Sequence, residues 1–271
     1  MSRPFETPAG RLGRYAYWGL CAAILAFLTA PVLAIIPLSF NSTAFLSYPL
    51  SGLSTRWYAD ILASGDWLAA LRNSLVVATV TTLIATPLGV AAAIGLTRLS
   101  GVLRTTLMGV IAAPIVAPVV VVAIAVYFLY APLGLTDSYL GLILAHTVLA
   151  VPFVVIAVGA SLQGFDLSLM RAGASLGAAP HTVYLRVVLP IIGPGVFAGA
   201  VFAFMTSFDE IVVTMFLAGS ERKTLPLRMF EGVRDQVSPT ITAVATLLIL
   251  TSVLLLSAVE LLRRRGEKLN G

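Results

Sequence analysis

Charge is scarce in this chain of 271 residues: 11% of its positions are Asp, Glu, Lys or Arg, against about 25% in an ordinary soluble domain. That shortage excludes a water-soluble globule, which needs a polar skin around its core. Cysteine is nearly absent too. Cys21 is the only one, so an intrachain disulfide and a cysteine-based metal site are excluded. The sequence has no Gly-x4-Gly-Lys-Ser/Thr loop to cradle phosphates, no His-Glu-x-x-His and no Cys/His cluster to hold a metal. Neither cofactor nor metal is therefore expected in the chain, and ATP hydrolysis by the chain alone is not expected. The net charge of +5 comes without a basic patch interleaved with aromatics, so nucleic acid is not an expected partner.

What is abundant is apolar: 59% of the residues, arriving in blocks of about 20 residues or more, the length that crosses a bilayer core roughly 30 Å thick. Six blocks stand out: Tyr15 to Phe40, Leu68 to Thr97, Thr106 to Leu133, Tyr139 to Leu162, Ile191 to Ala218 and Thr240 to Leu262. The fold class expected is all-α, a polytopic membrane protein with six transmembrane helices in one permease domain. The first block lacks a small-residue cleavage pattern and reads as a span, not as a removed leader. Pro114 and Pro118 are expected to kink the third helix and Pro152 the fourth.

Lysine and arginine set the orientation. With the N-terminus inside, eleven of the 17 basic residues fall on inner segments: Arg3, Arg11, Arg14, Arg98, Arg104, Arg171, Arg186, Arg263, Arg264, Arg265 and Lys268. Arg56, Arg72, Arg222, Lys223, Arg228 and Arg234 fall outside. The excess places both termini in the cytoplasm. The outer stretch from Asn41 to Trp67 is long enough for a short amphipathic helix around Arg56-Trp57-Tyr58. The stretch 163–190 lies inside, lacks an apolar run long enough to re-enter the membrane, and is too long to be a mere turn.

Asp209 and Glu210 sit within the fifth block, where an ionised carboxylate costs about 2.5–3.5 kcal/mol near the bilayer centre. Gly195, Gly199, Ala203 and Thr206 recur at helical spacing, and the acids flank that stripe, so they face protein or a water-filled path. Two readings stay open: carboxylates that attract a cation along a translocation path, or a structural pair bonded to neighbouring helices. His146, alone inside the fourth block, reads first as a group hydrogen-bonding between helices.

The inner stretch runs Arg171-Ala172-Gly173-Ala174-Ser175-Leu176-Gly177-Ala178-Ala179-Pro180, and on through Val187, Val188, Leu189 and Pro190. This resembles the signature loop of the permease subunits of binding-protein-dependent ABC importers: Glu-Ala-Ala, three residues, Gly, nine residues, then a branched apolar residue, any residue, Leu and Pro. Gly177, Val187, Leu189 and Pro190 stand in register, Ala172 holds the second position and Gly173 the third. Arg171 departs from the pattern by reversing the charge of the glutamate. In physical terms the loop is a short helix closed by a left-handed glycine, then a turn feeding the next membrane helix at Pro190.

Segments beyond the loop, Ser207 to Val213 and Thr224-Leu225-Pro226-Leu227 with Val237-Ser238-Pro239 bracketing an amphipathic stretch from Arg228 to Asp235, resemble the spermidine/putrescine importer group. Some relatives of that group carry an acid after a third-helix proline, where Val119 follows Pro118 here. The resemblance implies a type I importer permease, multi-pass in the bacterial plasma membrane. It also implies an ATPase dimer gripping the loop at Arg171, Ala172, Gly173, Ser175 and Gly177, with ATP and Mg bound there. A second permease subunit, an extracytoplasmic solute-binding protein and membrane lipid complete the expected partners. The expected solute is small and cationic, a polyamine for example, passing Asp209 and Glu210.

Two competitors need weighing. Gly173-Ala174-Ser175-Leu176-Gly177 also fits the Gly-x-Ser-x-Gly elbow of hydrolases, but that chemistry needs a preceding strand and a placed histidine, and nothing strand-like comes before it. The other competitor is a secondary transporter driven by an ion gradient through Asp209 or Glu210. Such folds often show two repeated halves with paired broken helices, and no clear second half is visible.

Overall fold

A computed structural model describes residues 8–166, 168–235 and 238–270, with side chains for 12–166, 168–234 and 238–254. Arg3 and Val237 lie outside the described residues, as do the side chains of Arg11, Arg263, Arg264, Arg265 and Lys268. The chain divides into two compact units, Met1–Ser64 with Gly232–Gly271, and Gly65–Glu231.

In the first unit, α1 (Pro8–Leu38) and α2 (Arg56–Ala63) each pack on α12 (Pro239–Asn270). The short amphipathic helix expected around Arg56 is α2. It buries Trp57 and Ile61, and the Trp57 indole N–H donates to the Asn41 carbonyl at 2.7 Å. That bond gives the buried ring its polar partner.

In the second unit, α3 (Gly65–Thr97), α6 (Tyr139–Gln163) and α9 (Gly193–Phe208) are the most closely packed helices. Against them lie α4 (Gly101–Val116), α5 (Val119–Tyr130) and α10 (Val212–Leu217). The segment between α6 and α9 holds α7 (Ser168–Ser175) and the helical run α8 (Pro180–Ile191), and α11 (Leu225–Asp235) begins in this unit. Among the described residues there is no strand, only an isolated bridge between Asn41 and Leu53.

Lipid tails give apolar helices no hydrophobic reason to associate, so close packing through small residues has to supply it. Val154 of α6 shows how. A Cβ on Gly89 of α3 would stand 2.5 Å from the Val154 Cβ, and one on Gly199 of α9 would stand 3.1 Å from the Val154 Cα. Three backbones meet at one valine because two of them have no side chain there. Gly195, Gly199, Ala203 and Ser207 form the buried stripe of α9. Ser207 takes the place expected for Thr206, which is half-buried.

The six blocks do not become six simple rods. By length and composition, Leu12–Leu38, Gly65–Thr97 and Tyr139–Gln163 each suffice to cross a membrane. Two bent pairs bring the number to five if each pair counts as one span. The sixth block lies in α12, where Pro239–Leu254 is a shorter apolar stretch. The third block is not a kinked helix: α4 and α5 meet at 101°. Pro118 has no N–H to continue α4, and it forces Ala117 into extended backbone at φ −69, ψ 141. Pro114 and Pro152 stay within α4 and α6 without ending them. The fifth block is divided too, since α8 and α9 meet at 76° and the chain opens again after Phe208.

Replacing Gly89 with leucine should lower stability by roughly 1–3 kcal/mol, as overpacking does, whereas Gly95→Ala on the same helix, where a Cβ meets nothing within 4 Å, should be neutral. Thermal unfolding in detergent measures both.

Candidate functional site

The segment after α6 starts with a cap. The Asp166 carboxylate accepts from the Ser168 backbone N–H at 2.8 Å and from its hydroxyl at 2.6 Å, satisfying a donor left over at the start of α7. The hydroxyl bond first, then the backbone bond, and more weakly the Arg171 charge, hold Asp166 below the usual carboxylate range. On α7, Arg171, Ala172 and Ser175 are exposed or nearly so. Gly173 turns inward, where its missing Cβ would lie 3.1 Å from a methyl of Val183.

The helix stops as expected, at a left-handed glycine. Gly177 has φ +77, the Gly177 N–H reaches the Ala174 carbonyl at 3.0 Å, and the Ala178 N–H reaches Gly173 at 3.1 Å. This is the paired bonding of a Schellman motif. Ser175 belongs to the last turn of a helix, not to a strand-to-helix elbow. The chain then reverses at Ala179, and Pro180 opens α8.

Val187 lies in a π-helical stretch, Tyr184–Val188, where the Leu189 N–H reaches back to the Tyr184 carbonyl. Val188 and Ile192 are buried with Phe165, Leu96 and Val158, which anchors α8 on the three-helix core. Pro190 corrects the sequence reading. It sits with Leu189 in the last turn of α8, and the next membrane helix starts instead at Gly193-Pro194. The wider π turn just before Pro190 makes room for a ring that would otherwise meet the carbonyl four residues back.

The acid pair sits at a break rather than inside a continuous helix. α9 ends with Asp209 as its cap, at φ −92 and ψ 1, and α10 begins at Val212. The half-buried Glu210 carboxyl accepts from the Val213 N–H at 2.8 Å, satisfying a donor that has no partner within the first turn of α10. Asp209 is exposed, and among the described residues its carboxylate has no hydrogen-bond or ion-pair partner. The two acids therefore divide: Glu210 shapes the backbone, and Asp209 is free to meet something else.

His146 spans the same break. Fully buried, it lies 2.9 Å from the Ser207 hydroxyl of α9 through Nδ1 and 3.1 Å from the Thr214 hydroxyl of α10 through Nε2. Thr214 donates its one proton to the Glu210 carbonyl at 3.1 Å. It must then accept from Nε2–H, which leaves Nδ1 to accept from Ser207. A neutral ring satisfies every partner. The sequence shows His146 as a polar group in an apolar helix, but its partners emerge only from the packing.

At the far end of the core from the 168–191 segment, the Asn73 amide donates to the carbonyls of Glu221 and Lys223, both at 3.0 Å, and the Ser74 hydroxyl accepts from the Leu225 N–H at 2.7 Å. Asp137, at φ 51, takes the Gly219 N–H at 3.0 Å and pairs with Arg222 at 3.4 Å. A Cβ on Gly219 would fall 2.3 Å from the Asp137 carboxyl carbon, so a side chain there would displace that carboxylate from its bond. Lys223 pairs with Glu231 at 2.8 Å and Arg228 with Asp66 at 2.7 Å. These basic residues thus have acids within the chain, in partly exposed pairs each worth about 0–1 kcal/mol.

Residues 85–268 match the family described as binding-protein-dependent transport system inner membrane component. The spermidine/putrescine transport system permease protein PotC of Shigella flexneri is 33% identical over 260 residues, covering 96% of this chain and 98% of that protein. The putrescine transport system permease protein PotI of Escherichia coli K12 is 32% identical over 241 residues, covering 86% of this chain and 85% of that one. A chain of a bacterial ABC transporter involved in the import of the acidic polysaccharide alginate superposes with a TM-score of 0.77 at 15% identity, over 95% of this chain and 99% of that chain. At that identity the likeness shows the fold alone.

This geometry makes two predictions. His146→Leu should cost on the order of 1–3 kcal/mol by stranding the buried Ser207 hydroxyl and removing the donor to Thr214, with Ser207→Ala costing less. A lowered thermal midpoint and faster amide exchange at residues 209–213 would register it. The Asp166 cap has a depressed folded pKa, so its stabilisation is complete above the unfolded aspartate value near about pH 4 and is lost as pH falls through the lower folded value. Protection of the α7 amides, taken relative to the intrinsic exchange rate at each pH, should fall over that acidic window in the wild type and stay flat in Asp166→Asn.

Proposed function

The chain belongs to the family of binding-protein-dependent transport system inner membrane components, and from that premise we propose that it forms one half of the path through which an ATP-driven importer moves a small cationic organic solute, with polyamines first in line. The family's members are permeases of the bacterial inner membrane, not themselves enzymes, and they work with an ATPase and a binding protein. Membership favours this reading over a secondary transporter driven by an ion gradient.

The observation that carries the proposal is the exposed α7, closed by its Schellman glycine and fixed through Val188 and Ile192 to the three-helix core. A partner that grips α7 pulls on the membrane helices. In the proposed arrangement both termini and this segment face the cytoplasm, and an ATPase dimer binds ATP and Mg and closes around α7 and its counterpart on a second permease subunit. The binding protein docks on the outer face, at the end of the core that carries Asn73 and Asp137. Arg171 then needs a cleft that presents an acid or open water, not a cation.

The solute class rests on two supports. Relatives at about a third identity are named for spermidine and putrescine, and the free carboxylate of Asp209 at the α9–α10 break suits an ammonium group. Val119, the first residue of α5 at the α4–α5 break, leaves that second break without a charge.

The test is purification through a tag on this chain after co-expression with its ATPase, second permease and binding protein, followed by uptake in vesicles. The ATPase should stay bound in mild detergent, labelled spermidine should enter in a vanadate-sensitive manner, and Asp209→Asn should slow entry while the complex stays whole. Gradient-driven uptake by this chain alone would refute the importer. An intact ATPase complex that ignores spermidine would refute the polyamine, and normal kinetics in Asp209→Asn would return that acid to a structural role.

A further inference from the structure

Beneath α8 three features come together that the importer reading leaves unused. Arg98, just past the end of α3, donates from Nη2 to the Tyr184 hydroxyl, and its guanidinium lies 5.5 Å from the centre of the same ring. Tyr184 opens the π-helical stretch of α8. Under it lies a cavity of about 210 Å³ bordered by Thr97, Phe165, Met170, Tyr184 and Val188.

Each feature has a mechanical meaning. A π turn carries one residue more than an α turn, so a change of hydrogen-bond register would shift the downstream helix by a residue, and such turns are frequent at functional sites. The cavity matters because packed interiors resist displacement, and here Tyr184 borders a space that no protein atom fills. The Arg98 contact, by contrast, is directional: a charged donor on a phenol, with stacking besides. Tyr184 thus borders open space on α8 and is joined by its hydroxyl and its ring to Arg98.

Arg98 ends a helix whose other end is also tied down. The 33 residues of α3 connect the two attachments, and at the far one Asn73 holds the carbonyls of Glu221 and Lys223. We propose that Arg98 is the positioning residue that fastens the 168–191 segment to α3, so that α3 carries displacement of that segment to the 219–224 loop at the opposite end of the core. The inference rests on the importer reading, since an ATPase supplies the displacement. Coupling of this kind needs a contiguous element and a part able to rearrange; α3, which runs unbroken through Pro87, takes the first role and the π turn of α8 the second.

The test reads the far end directly and needs no knowledge of the solute. Ser220 is exposed and Cys21 is the only native cysteine, so Ser220→Cys in a Cys21→Ser chain reports on the 219–224 loop. In the assembled importer, maleimide labelling at position 220 should differ several-fold between the nucleotide-free and vanadate-trapped states. Tyr184→Phe and Arg98→Gln should each abolish most of that difference while ATP hydrolysis continues. Arg98→Lys should restore a large part, and the Tyr184→Phe/Arg98→Gln double should be no worse than the worse single.

Asn73→Asp keeps the size of the side chain but loses its N–H donors, and should show the same loss without touching the segment. Wild-type labelling differences in all these variants, or effects that multiply in the double, would overturn the link while leaving the importer intact. Failure of the unmutated chain to retain an ATPase would overturn both.

Discussion

Everything in the second unit depends on how closely α3, α6 and α9 approach one another. In water, apolar surface would drive them together; among lipid tails that drive is missing, and contact has to come from shape. Val154 between Gly89 and Gly199 is where shape decides. A single added methyl on either glycine would push a backbone away. The buried His146 can reach hydroxyls on both α9 and α10 only because α6 and α9 are this close.

On that rigid frame the structure places its interruptions. Proline breaks α4 from α5, α8 turns into α9 at 76°, and Asp209 closes α9 before α10. Non-helical backbone at membrane depth is tolerated where protein or water covers its polar groups, and the α9–α10 break shows the covering residue by residue. Glu210 takes the Val213 N–H, Thr214 donates to the Glu210 carbonyl, and His146 joins the two sides. Packed helices carry these breaks, and the breaks lie next to the residues proposed to meet solute and ATPase.

The helical class is legible in the sequence because the length of an apolar block is a direct measure of the bilayer. The α7 turn is legible as well: a glycine after a run of small residues has few other conformational uses. The acid pair is visible, but composition puts it within a continuous helix, because apolar content runs on through 191–218 while backbone geometry does not. Pro190 likewise reads as a helix start, since a π turn leaves no pattern in composition. The contacts Arg98 makes with Tyr184 and His146 with Ser207 and Thr214 span 61 to 86 residues, and no local periodicity encodes them. Asp166 is the nearest miss, since an acid two residues before a serine at a helix start is a capping pattern visible by eye.

The stop of α7 is made from backbone groups alone: the amides of Gly177 and Ala178 close on the carbonyls of Ala174 and Gly173, and the side chain pressed against Gly173 is that of Val183. The outward-facing positions, Arg171, Ala172, Ser175 and Leu176, contribute no side-chain bond to that stop. Mutation can therefore rewrite them one by one while the hairpin keeps its course. On the proposed reading, substitutions at these few surface positions, Arg171 among them, would change which motor the segment suits without unmaking the turn itself.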